Sequence, residues 1–224
     1  ALDKALTKSI VRDAGVPTAP FACIHSEADI ARVHLPFPLF LKPLAEGTGK
    51  GISNRSKVGS AAELREVATD LLARFHQPVL VETFLPGREF TVGLAGSGET
   101  ATVLGMIEVN FHAGSGAIYS YQTKTDYEKL VTYTVPTDDV SRRAAHVALS
   151  AWRALRCVDA GRADIRCDAD GNPNFIEVNP LAGLNPTHSD LPILCRMNGI
   201  SFTQLIGRIL SNALARHGRA ASRQ

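Results

Sequence analysis

The sequence lacks the features that mark several broad classes of protein. Its four cysteines are too widely separated to indicate a metal-ligand cluster or a disulfide framework, so we expect a cytoplasmic protein with free thiols at Cys23, Cys157, Cys167 and Cys195. It has no apolar run long enough to span a membrane and no signal-peptide pattern at its start, so no membrane partner is expected. Its 24 Lys and Arg exceed its 22 Asp and Glu by too little to indicate nucleic-acid binding. What remains is an ordinary globular chain of 224 residues.

The most informative stretch that is present is GRADIRCDADGNPNFIEVNP, residues 161–180, which predicts a β-hairpin. The dipeptide at 170–171 is Asp-Gly, which indicates a two-residue turn because glycine tolerates the positive φ that such a turn requires. Side chains alternate along a strand, so residues two apart share a face. With the turn centred on the dipeptide, one face carries two opposed polar pairs, Asp164 with Glu177 and Arg162 with Asn179.

These opposed side chains suggest a metal site. Two carboxylates that face each other repel unless a cation lies between them. Carboxylate oxygens with an amide oxygen suit Mg²⁺, and Arg162 beside them could stabilise charge on a phosphoryl group. The alternative is a solvated hairpin with scattered charges. The apolar residues Phe175, Ile176 and Val178 in the second strand count against that alternative.

The rest of the chain predicts helices interleaved with antiparallel strands. Apolar periodicity and capping residues indicate helices over residues 2–14, 60–75, 138–155, 190–198 and 201–217. Alternating or buried apolar runs indicate strands over residues 21–24, 38–43, 78–84, 89–95, 101–109 and 131–135. Because no regular βαβ rhythm connects them, the fold class is α+β. Residues 111–129 show neither period, and a loop of that length is usually either functional or disordered.

One further feature, a glycine-rich loop, could contact a phosphate, although it is weak alone. The segment EGTGKGIS, residues 46–53, is a glycine-rich loop after a strand, and its backbone N–H groups could approach a phosphate. It is not a Walker loop, because Gly51 follows Lys50 and the upstream glycine is missing, so a flexible turn is the alternative. Lys42 lies near a strand end and Lys124 lies in the long loop, and in isolation each could be a solvated charge.

Taken together and in order, these motifs resemble the ATP-grasp portion of a D-alanine–D-alanine ligase. The resemblance covers nearly the whole chain, from residue 3 to about residue 210, and is carried by Asp3-Lys4, LFLKP with EGTGKGIS, VLVETFLPGREFTV, YQTKTDY, GRADIR and FIEVNPLAGLNPTHSDLP. It implies two α+β subdomains whose antiparallel sheets grip ATP between them. Residues 1–86 would form the small subdomain, residues 87–217 the large subdomain with the metal site, and residues 218–224 a disordered tail. The N-terminal domain of the family is absent from this chain, which opens without Met and which we expect to be a piece of a longer protein.

The resemblance also implies roles for individual residues. The nucleotide would be bound by Lys4, Lys42, Glu46, Gly47, Thr48, Gly49, Gly51, Glu82, Thr83, Phe84, Leu85, Glu89 and Lys124. Mg²⁺, with Mn²⁺ as a second option, would be held by Asp164, Glu177 and Asn179. Arg162 and the Gly183 backbone N–H would stabilise the tetrahedral oxyanion. Ser189 would bind the carboxylate of the second substrate, helped by the helix N-terminus that it caps.

The implied activity is an ATP-dependent carboxylate–amine ligase of peptidoglycan biosynthesis, with an acyl phosphate intermediate and with ADP and phosphate as products. The partners would be small-molecule amino-acid substrates, and a homodimer is one option. Departures from the family pattern leave the acceptor open: Thr48-Gly49 replaces two adjacent serines, Thr125 replaces an aromatic, and the loop NPLAGLNPTHS is one residue longer. The alternatives are a ligase of other amino acids or amines in secondary metabolism and a non-catalytic nucleotide-binding module.

Overall fold

The computed structural model describes residues 2–47, 49–111 and 131–221. The described helices are α1 (Lys4–Asp13), α2 (Ala61–Phe75), α3 (Asp139–Ala154), α4 (Asp190–Met197) and α5 (Phe202–Ala221). Short 3₁₀ turns cover Glu27–Arg32, Asn54–Ser56 and Gly98–Thr100. The described strands are β1 (Phe21–Ile24), β2 (Leu39–Pro43), β3 (Lys57–Val58), β4 (Val79–Thr83), β5 (Glu89–Ala95), β6 (Thr102–Phe111), β7 (Val131–Thr134), β8 (Ala160–Cys167) and β9 (Pro173–Asn179).

The strands form two antiparallel sheets, which confirms the predicted α+β class. The first sheet has the order β1-β4-β2-β3 and is covered by α2, whose Leu64 and Leu71 pack with Leu41 and Val81 of the strands. Helix α2 begins after the predicted N-cap Ser60, whose hydroxyl accepts from the Glu63 N–H. The Glu63 carboxylate reaches back to the Gly59 N–H at 2.7 Å, one residue earlier than a capping box would place it.

The second sheet has the order β7-β6-β5-β8-β9 and is covered on both faces. On one face α3 buries Trp152 against Phe90, Ile165 and Phe175, and its indole N–H donates to the Gly96 carbonyl at 3.0 Å. On the other face α4 and α5 cover one end, through an apolar cluster that includes Ile107, Leu191, Leu194 and Leu205. The part of this face that α4 and α5 leave uncovered lines a cleft between the two sheets.

Helix α1 turns a polar face inward. Its N-cap Asp3 accepts from the Leu6 N–H at 2.9 Å, as expected for a helix start. Yet the every-fourth-residue apolar series that identifies the helix is largely exposed, at 70%, 60% and 41% for Leu2, Leu6 and Ile10. Its buried residues are Lys4, Thr7, Lys8 and Val11. The helix is therefore held by a polar cluster beneath it as well as by apolar packing.

The segment of residues 17–20 is hydrogen-bonded to both sheets. The Pro17 carbonyl accepts from the Phe175 N–H of β9 at 2.8 Å, and the Thr18 hydroxyl donates to the Phe175 carbonyl at 2.8 Å. At the other end of the segment, the Pro20 carbonyl accepts from the Thr83 N–H of β4 at 2.9 Å. This short segment thus connects β9, the edge strand of the second sheet, to the end of β4, an interior strand of the first sheet. The predicted division of the chain at residues 86–87 stays a prediction.

Candidate functional site

A cleft of about 1120 Å³, open to solvent, lies between the two sheets. It brings together most of the predicted site residues, namely Lys4, Lys42, Glu46, Gly47, Gly49, Glu82, Thr83, Phe84, Leu85, Glu89, Arg162, Asp164 and Glu177. The predicted residues Gly51, Asn179, Gly183 and Ser189 do not line it. Two others, Thr48 and Lys124, lie outside the described residues. Residues from both ends of the chain therefore meet at one place.

The β8–β9 hairpin has the predicted polar pairs. Asp164 lies opposite Glu177, and Arg162 lies opposite Asn179. The predicted two-residue turn is wrong, because β8 ends at Cys167 and β9 begins at Pro173, which leaves a five-residue loop. Within that loop the Asp168 carboxylate accepts from the N–H groups of residues 170 and 172 at 3.0 and 2.8 Å. The loop is thus closed by its own first side chain.

A β-bulge compensates for the longer loop. Ile165 pairs with Phe175 while the preceding Asp164 pairs with Glu177, so Ile176 is the extra residue. Without a bulge, Glu177 would point to the same face as the fully buried Phe175. With it, Ile176 and Glu177 both line the cleft, and Val178 returns to the core. The bulge is therefore what brings Glu177 to the cleft face.

The candidate metal ligands form an oxygen-rich group. The Thr91 hydroxyl donates to Asp164 Oδ1 at 3.1 Å, and Arg162 Nη1 lies 3.3 Å from the same oxygen. Among the described residues, the buried Asn179 Nδ2 has no hydrogen-bond partner, and the two ends of an amide can be exchanged by rotation. Over the same residues no three His, Cys, Asp or Glu side chains cluster as metal ligands, so the candidate set is two carboxylates and an amide. That donor set suits a hard cation such as Mg²⁺ and not Zn²⁺.

A buried cluster of charges lies at one wall of the cleft, which Lys42 and Glu82 line. Glu82 Oε1 lies 2.6 Å from Lys8 Nζ, and Glu82 Oε2 lies 2.6 Å from Lys42 Nζ. Burial alone would raise the pKa of Glu82, but the two lysines hold it at about 2. Burial pulls the pKa of Lys42 down, but Glu82 and the carboxylates of the hairpin outweigh it and raise that pKa. Lys42 is therefore a fixed positive charge in the cleft.

Lys8 was not predicted as a site residue. It is fully buried, and its Nζ donates to the Thr18 hydroxyl at 2.5 Å in addition to pairing with Glu82. Burial lowers the pKa of Lys8, and the pairing with Glu82 offsets this only in part. Its position four residues after Lys4 places it on the same helix face, a signal that the sequence contained.

The glycine-rich loop is anchored at its first residue. Lys4 Nζ donates to the carbonyl groups of Leu44, at 3.4 Å, and of Glu46. The Glu46 carboxylate accepts from Gln77 Nε2 at 3.0 Å and lies 3.3 Å from Lys50 Nζ. At the end of the loop Gly51 has a φ of +82°, and a Cβ there would lie 2.5 Å from Pro43, so only glycine fits.

At another part of the cleft, Glu89 is paired with an arginine that was not predicted. Arg166 Nη1 lies 3.0 Å from Glu89 Oε2, and the Arg166 guanidinium lies 5.4 Å from the centre of the Phe84 ring. Arg166 follows Arg162 and Asp164 on the same face of β8, so strand alternation places it in the cleft. Phe84, Leu85 and Ile176 supply apolar surface close by.

At the opposite end of the cleft, Arg162 pairs with a carboxylate that was also not predicted. Arg162 Nη1 lies 2.6 Å from Asp190 Oδ2, and the Tyr133 hydroxyl lies 3.5 Å from Asp190 Oδ1. Asp190 is the first residue of α4 and lines the cleft, as does Tyr133. The pairing depends on the tertiary approach of α4 to β8, which no local pattern indicates.

Ser189 and Gly183 lie next to each other beside this end of the cleft. Ser189 is the N-cap residue of α4, as predicted, but its side chain makes no capping hydrogen bond to the helix. Its hydroxyl accepts instead from the Asn185 N–H at 3.0 Å. A Cβ at Gly183 would lie 2.6 Å from Ser189 Oγ, so the loop approaches the hydroxyl closely only because residue 183 is glycine.

Comparison with known proteins identifies what the chain is similar to. A family profile described as D-ala D-ala ligase C-terminus matches residues 10–211. A D-alanine–D-alanine ligase of Bordetella avium is 37% identical over 218 residues, which are 95% of this chain and 66% of that relative. A ligase of the same name from Marinobacter nauticus is 37% identical over 220 residues, 96% of this chain and 64% of the relative. The chain thus spans about two thirds of the length of these curated relatives.

Solved structures show the same fold. A D-alanine–D-alanine ligase of Bacillus anthracis complexed with ATP has a TM-score of 0.75 at 22% identity, over 98% of this chain and 68% of that one. The VanG D-Ala:D-Ser ligase of Enterococcus faecalis has a TM-score of 0.76 at 23% identity, over 94% of this chain and 61% of that one. The predicted ATP-grasp fold with two antiparallel sheets is confirmed. Within the described part of the chain, no helix combines the length and the apolar character that crossing a membrane requires.

Proposed function

Since this chain belongs to the family of D-Ala–D-Ala ligase C-terminal domains, we propose that it binds the nucleotide and metal of an ATP-dependent carboxylate–amine ligase. The ligase would join two amino acids, of the D-Ala–D-Ala type, through an acyl phosphate, and it would act in the cytoplasm. One observation carries the proposal. The bulged hairpin places Asp164 and Glu177 on the cleft face, opposite a wall that contains the buried Lys42.

The cleft has separate surfaces for the parts of ATP. Phe84, Leu85 and Ile176 would pack against the base, next to the backbone of the strand that carries Glu82. Glu89 would accept hydrogen bonds from the ribose hydroxyls. Lys4, Lys42 and the backbone of the loop at residues 46–51, with Lys124, would surround the phosphates.

Mg²⁺ would be held by Asp164, Glu177 and Asn179. Their oxygen donors suit a hard cation, and the buried amide nitrogen of Asn179, which has no hydrogen-bond partner among the described atoms, supports the fit. When bound, the metal would neutralise charge on the transferring phosphoryl group. The protein would contribute positioning: Thr91 holds the Asp164 carboxylate, and the bulge orients Glu177.

The proposed reaction has two steps. The donor carboxylate oxygen forms a bond to the γ-phosphorus while the bond to the β-phosphate oxygen breaks, which gives an acyl phosphate and ADP. The acceptor nitrogen then bonds to the acyl carbon, phosphate leaves with the electron pair of the C–O bond, and the nitrogen gives up its proton to that phosphate. Arg162 and the Gly183 N–H would stabilise the oxyanion between these events. Because the donor carboxylate is activated as an acyl phosphate and the acceptor amine attacks it directly, no nucleophilic side chain is required.

The substitution Glu177→Gln in the full-length protein tests the metal assignment. It removes one ligand charge at nearly unchanged volume, so we expect Mg²⁺-dependent ADP release to fall about 100-fold, as a metal worth several kcal/mol would require. Glu99→Gln, whose side chain is 95% exposed, is the matched control and should leave the rate unchanged. ADP release that stays within a few-fold of the unsubstituted protein would show that Glu177 does not hold the metal. A non-catalytic nucleotide-binding module, the alternative function, would bind ATP without any substrate-dependent ADP release.

A further inference from the structure

Arg166 is a charged cleft residue that has no role in the proposed reaction so far. It lies directly opposite Glu89 in the pairing of β8 with β5, and its Nη1 lies 3.0 Å from Glu89 Oε2. The two side chains are only 13% and 17% exposed. The Arg166 guanidinium also lies 5.4 Å from the centre of the Phe84 ring. Arg166 is therefore held both by a carboxylate and by an aromatic ring.

The row of side chains along β8 indicates which part of a nucleotide this ion pair faces. Arg162, Asp164 and Arg166 all line the cleft, and alternate residues of a strand are about 6–7 Å apart. Arg166 is thus one such step beyond the candidate metal ligand Asp164, on the side away from Arg162. Phe84, which belongs to the surface proposed for the base, is its neighbour. In ATP the ribose connects the phosphates to the base, so a pair between the metal carboxylates and the base surface faces the ribose.

A carboxylate at this point of the cleft needs a positive partner. ATP brings several negative charges with it, and a carboxylate without a counter-charge would repel them. Arg166 offsets the charge of Glu89 and leaves it able to accept hydrogen bonds, because an ionised carboxylate has about four lone-pair sites. A side chain that is already held in one orientation also loses less conformational freedom when a ligand binds to it.

Building on the proposed nucleotide site, we propose that Arg166 positions Glu89 to accept hydrogen bonds from the ribose hydroxyls, so that the cleft selects nucleotides that carry them. Arg166 acts through Glu89 and is therefore a positioning residue. A hydrogen bond to a charged acceptor raises affinity by about tenfold or more. The strength of selection for the sugar hydroxyls should therefore depend on Arg166.

The test compares two nucleotides in each protein. Calorimetry measures the dissociation constants of ATP and of 2′,3′-dideoxy-ATP, both with Mg²⁺, for the full-length protein in the absence of amino acids. Because the two nucleotides share the base and the triphosphate, the ratio of their dissociation constants cancels any general change in the cleft. We expect the unsubstituted protein to bind ATP at least about tenfold more tightly than the dideoxy nucleotide. In Arg166→Met the two dissociation constants should lie within about threefold of each other, because Glu89 is no longer held.

Further variants test whether the effect passes through Glu89. Glu89→Leu removes the acceptor and should lower the ratio as far as Arg166→Met does, and the double variant should lower it no further. Arg166→Lys keeps a positive charge and a donor, so it should retain a higher ratio than Arg166→Met. If Arg166→Met does not fold, Arg166→Gln, which also removes the charge, takes its place. Arg142→Met, at a 68% exposed side chain on α3, is the matched control and should leave the ratio unchanged.

The outcomes separate this inference from the proposed function. A protein that binds neither nucleotide would refute the proposed nucleotide site, and this inference with it. ATP binding by an unsubstituted protein that does not distinguish the two nucleotides would refute this inference alone. Equal losses of affinity for both nucleotides in Arg166→Met would also refute it, since a purely structural ion pair between neighbouring strands would give that result. A ratio that Glu89→Leu leaves unchanged, or that Arg166→Lys lowers as far as Arg166→Met does, would overturn it as well.

Discussion

Replacing Glu82 by Gln should destabilise the fold strongly, because it leaves Lys8 and Lys42 buried without their shared carboxylate. Glu82 is 3% exposed, and each of its oxygens lies 2.6 Å from one lysine nitrogen. A pKa that falls from 4.5 to about 2 corresponds to ~3 kcal/mol, since each tenfold change in proton affinity is worth ~1.4 kcal/mol. Breaking a buried ion pair by removing one partner typically costs about 3–5 kcal/mol, so the two figures agree.

The assay is urea unfolding of the unsubstituted protein and of the Glu82→Gln protein at pH 7, with circular dichroism as the readout. We expect Glu82→Gln to lower the free energy of unfolding by ~3 kcal/mol, while Glu99→Gln, at an exposed side chain, changes it by less than about 0.5 kcal/mol. The folded-state pKa of Glu82 lies below its ordinary value, so its stabilising effect is complete above pH 4.5 and is lost as the pH falls toward 2. The difference in free energy of unfolding between the unsubstituted protein and Glu82→Gln should therefore narrow as the pH falls from 4.5 toward 2. A difference below about 1 kcal/mol at pH 7, or one that stays constant between pH 4.5 and 2, would refute the reasoning.

Two smaller predictions concern packing and thiol chemistry. A Cβ at Gly161 would overlap the Asn179 carbonyl and lie 2.9 Å from the Trp152 ring, so Gly161→Ala should lower the free energy of unfolding by about 1–3 kcal/mol. The control is Gly207→Ala, which has open space around it and should be neutral or stabilising by up to ~1 kcal/mol in the same urea experiment. Burial raises the pKa of the Cys157 and Cys195 thiols to about 11, so at pH 8 only about one in a thousand of these thiols is ionised. A chromogenic disulfide reagent should react with them far more slowly than with free cysteine, and a rate equal to that of free cysteine would contradict the burial.

The sequence predicted the polar pairs of the hairpin but not the route by which they form. Local residue types identify the turn region and the alternating strands, and Asp164 does lie opposite Glu177. Ile176 reads as an ordinary apolar strand residue, so nothing in the local pattern distinguishes a longer loop with a bulge from a two-residue turn without one. Both arrangements pair Asp164 with Glu177. The five-residue loop shifts the pairing next to it by one residue, and the extra residue Ile176 in β9 cancels that shift. The prediction succeeded for pairing and failed for the turn.

Contacts between distant parts of the chain account for what was missed. Lys8, Arg166 and Asp190 are each defined by a partner elsewhere in the chain, 74, 77 and 28 residues away respectively. Helix α1 shows the same limit, since its apolar series marks a helix while tertiary packing buries its polar face. Patterns of period 2 and 3.6 report local geometry, whereas the cleft is formed where two sheets meet.

The connection at residues 17–20 bears on how the cleft can open. Because it is hydrogen-bonded to Phe175 of β9 on one side and to Thr83 of β4 on the other, it ties the two sheets together at this point. We expect any rotation of one sheet against the other to pivot there. The hairpin with its carboxylates would then keep its place beside the axis of rotation, because Phe175 belongs to the same strand as Glu177.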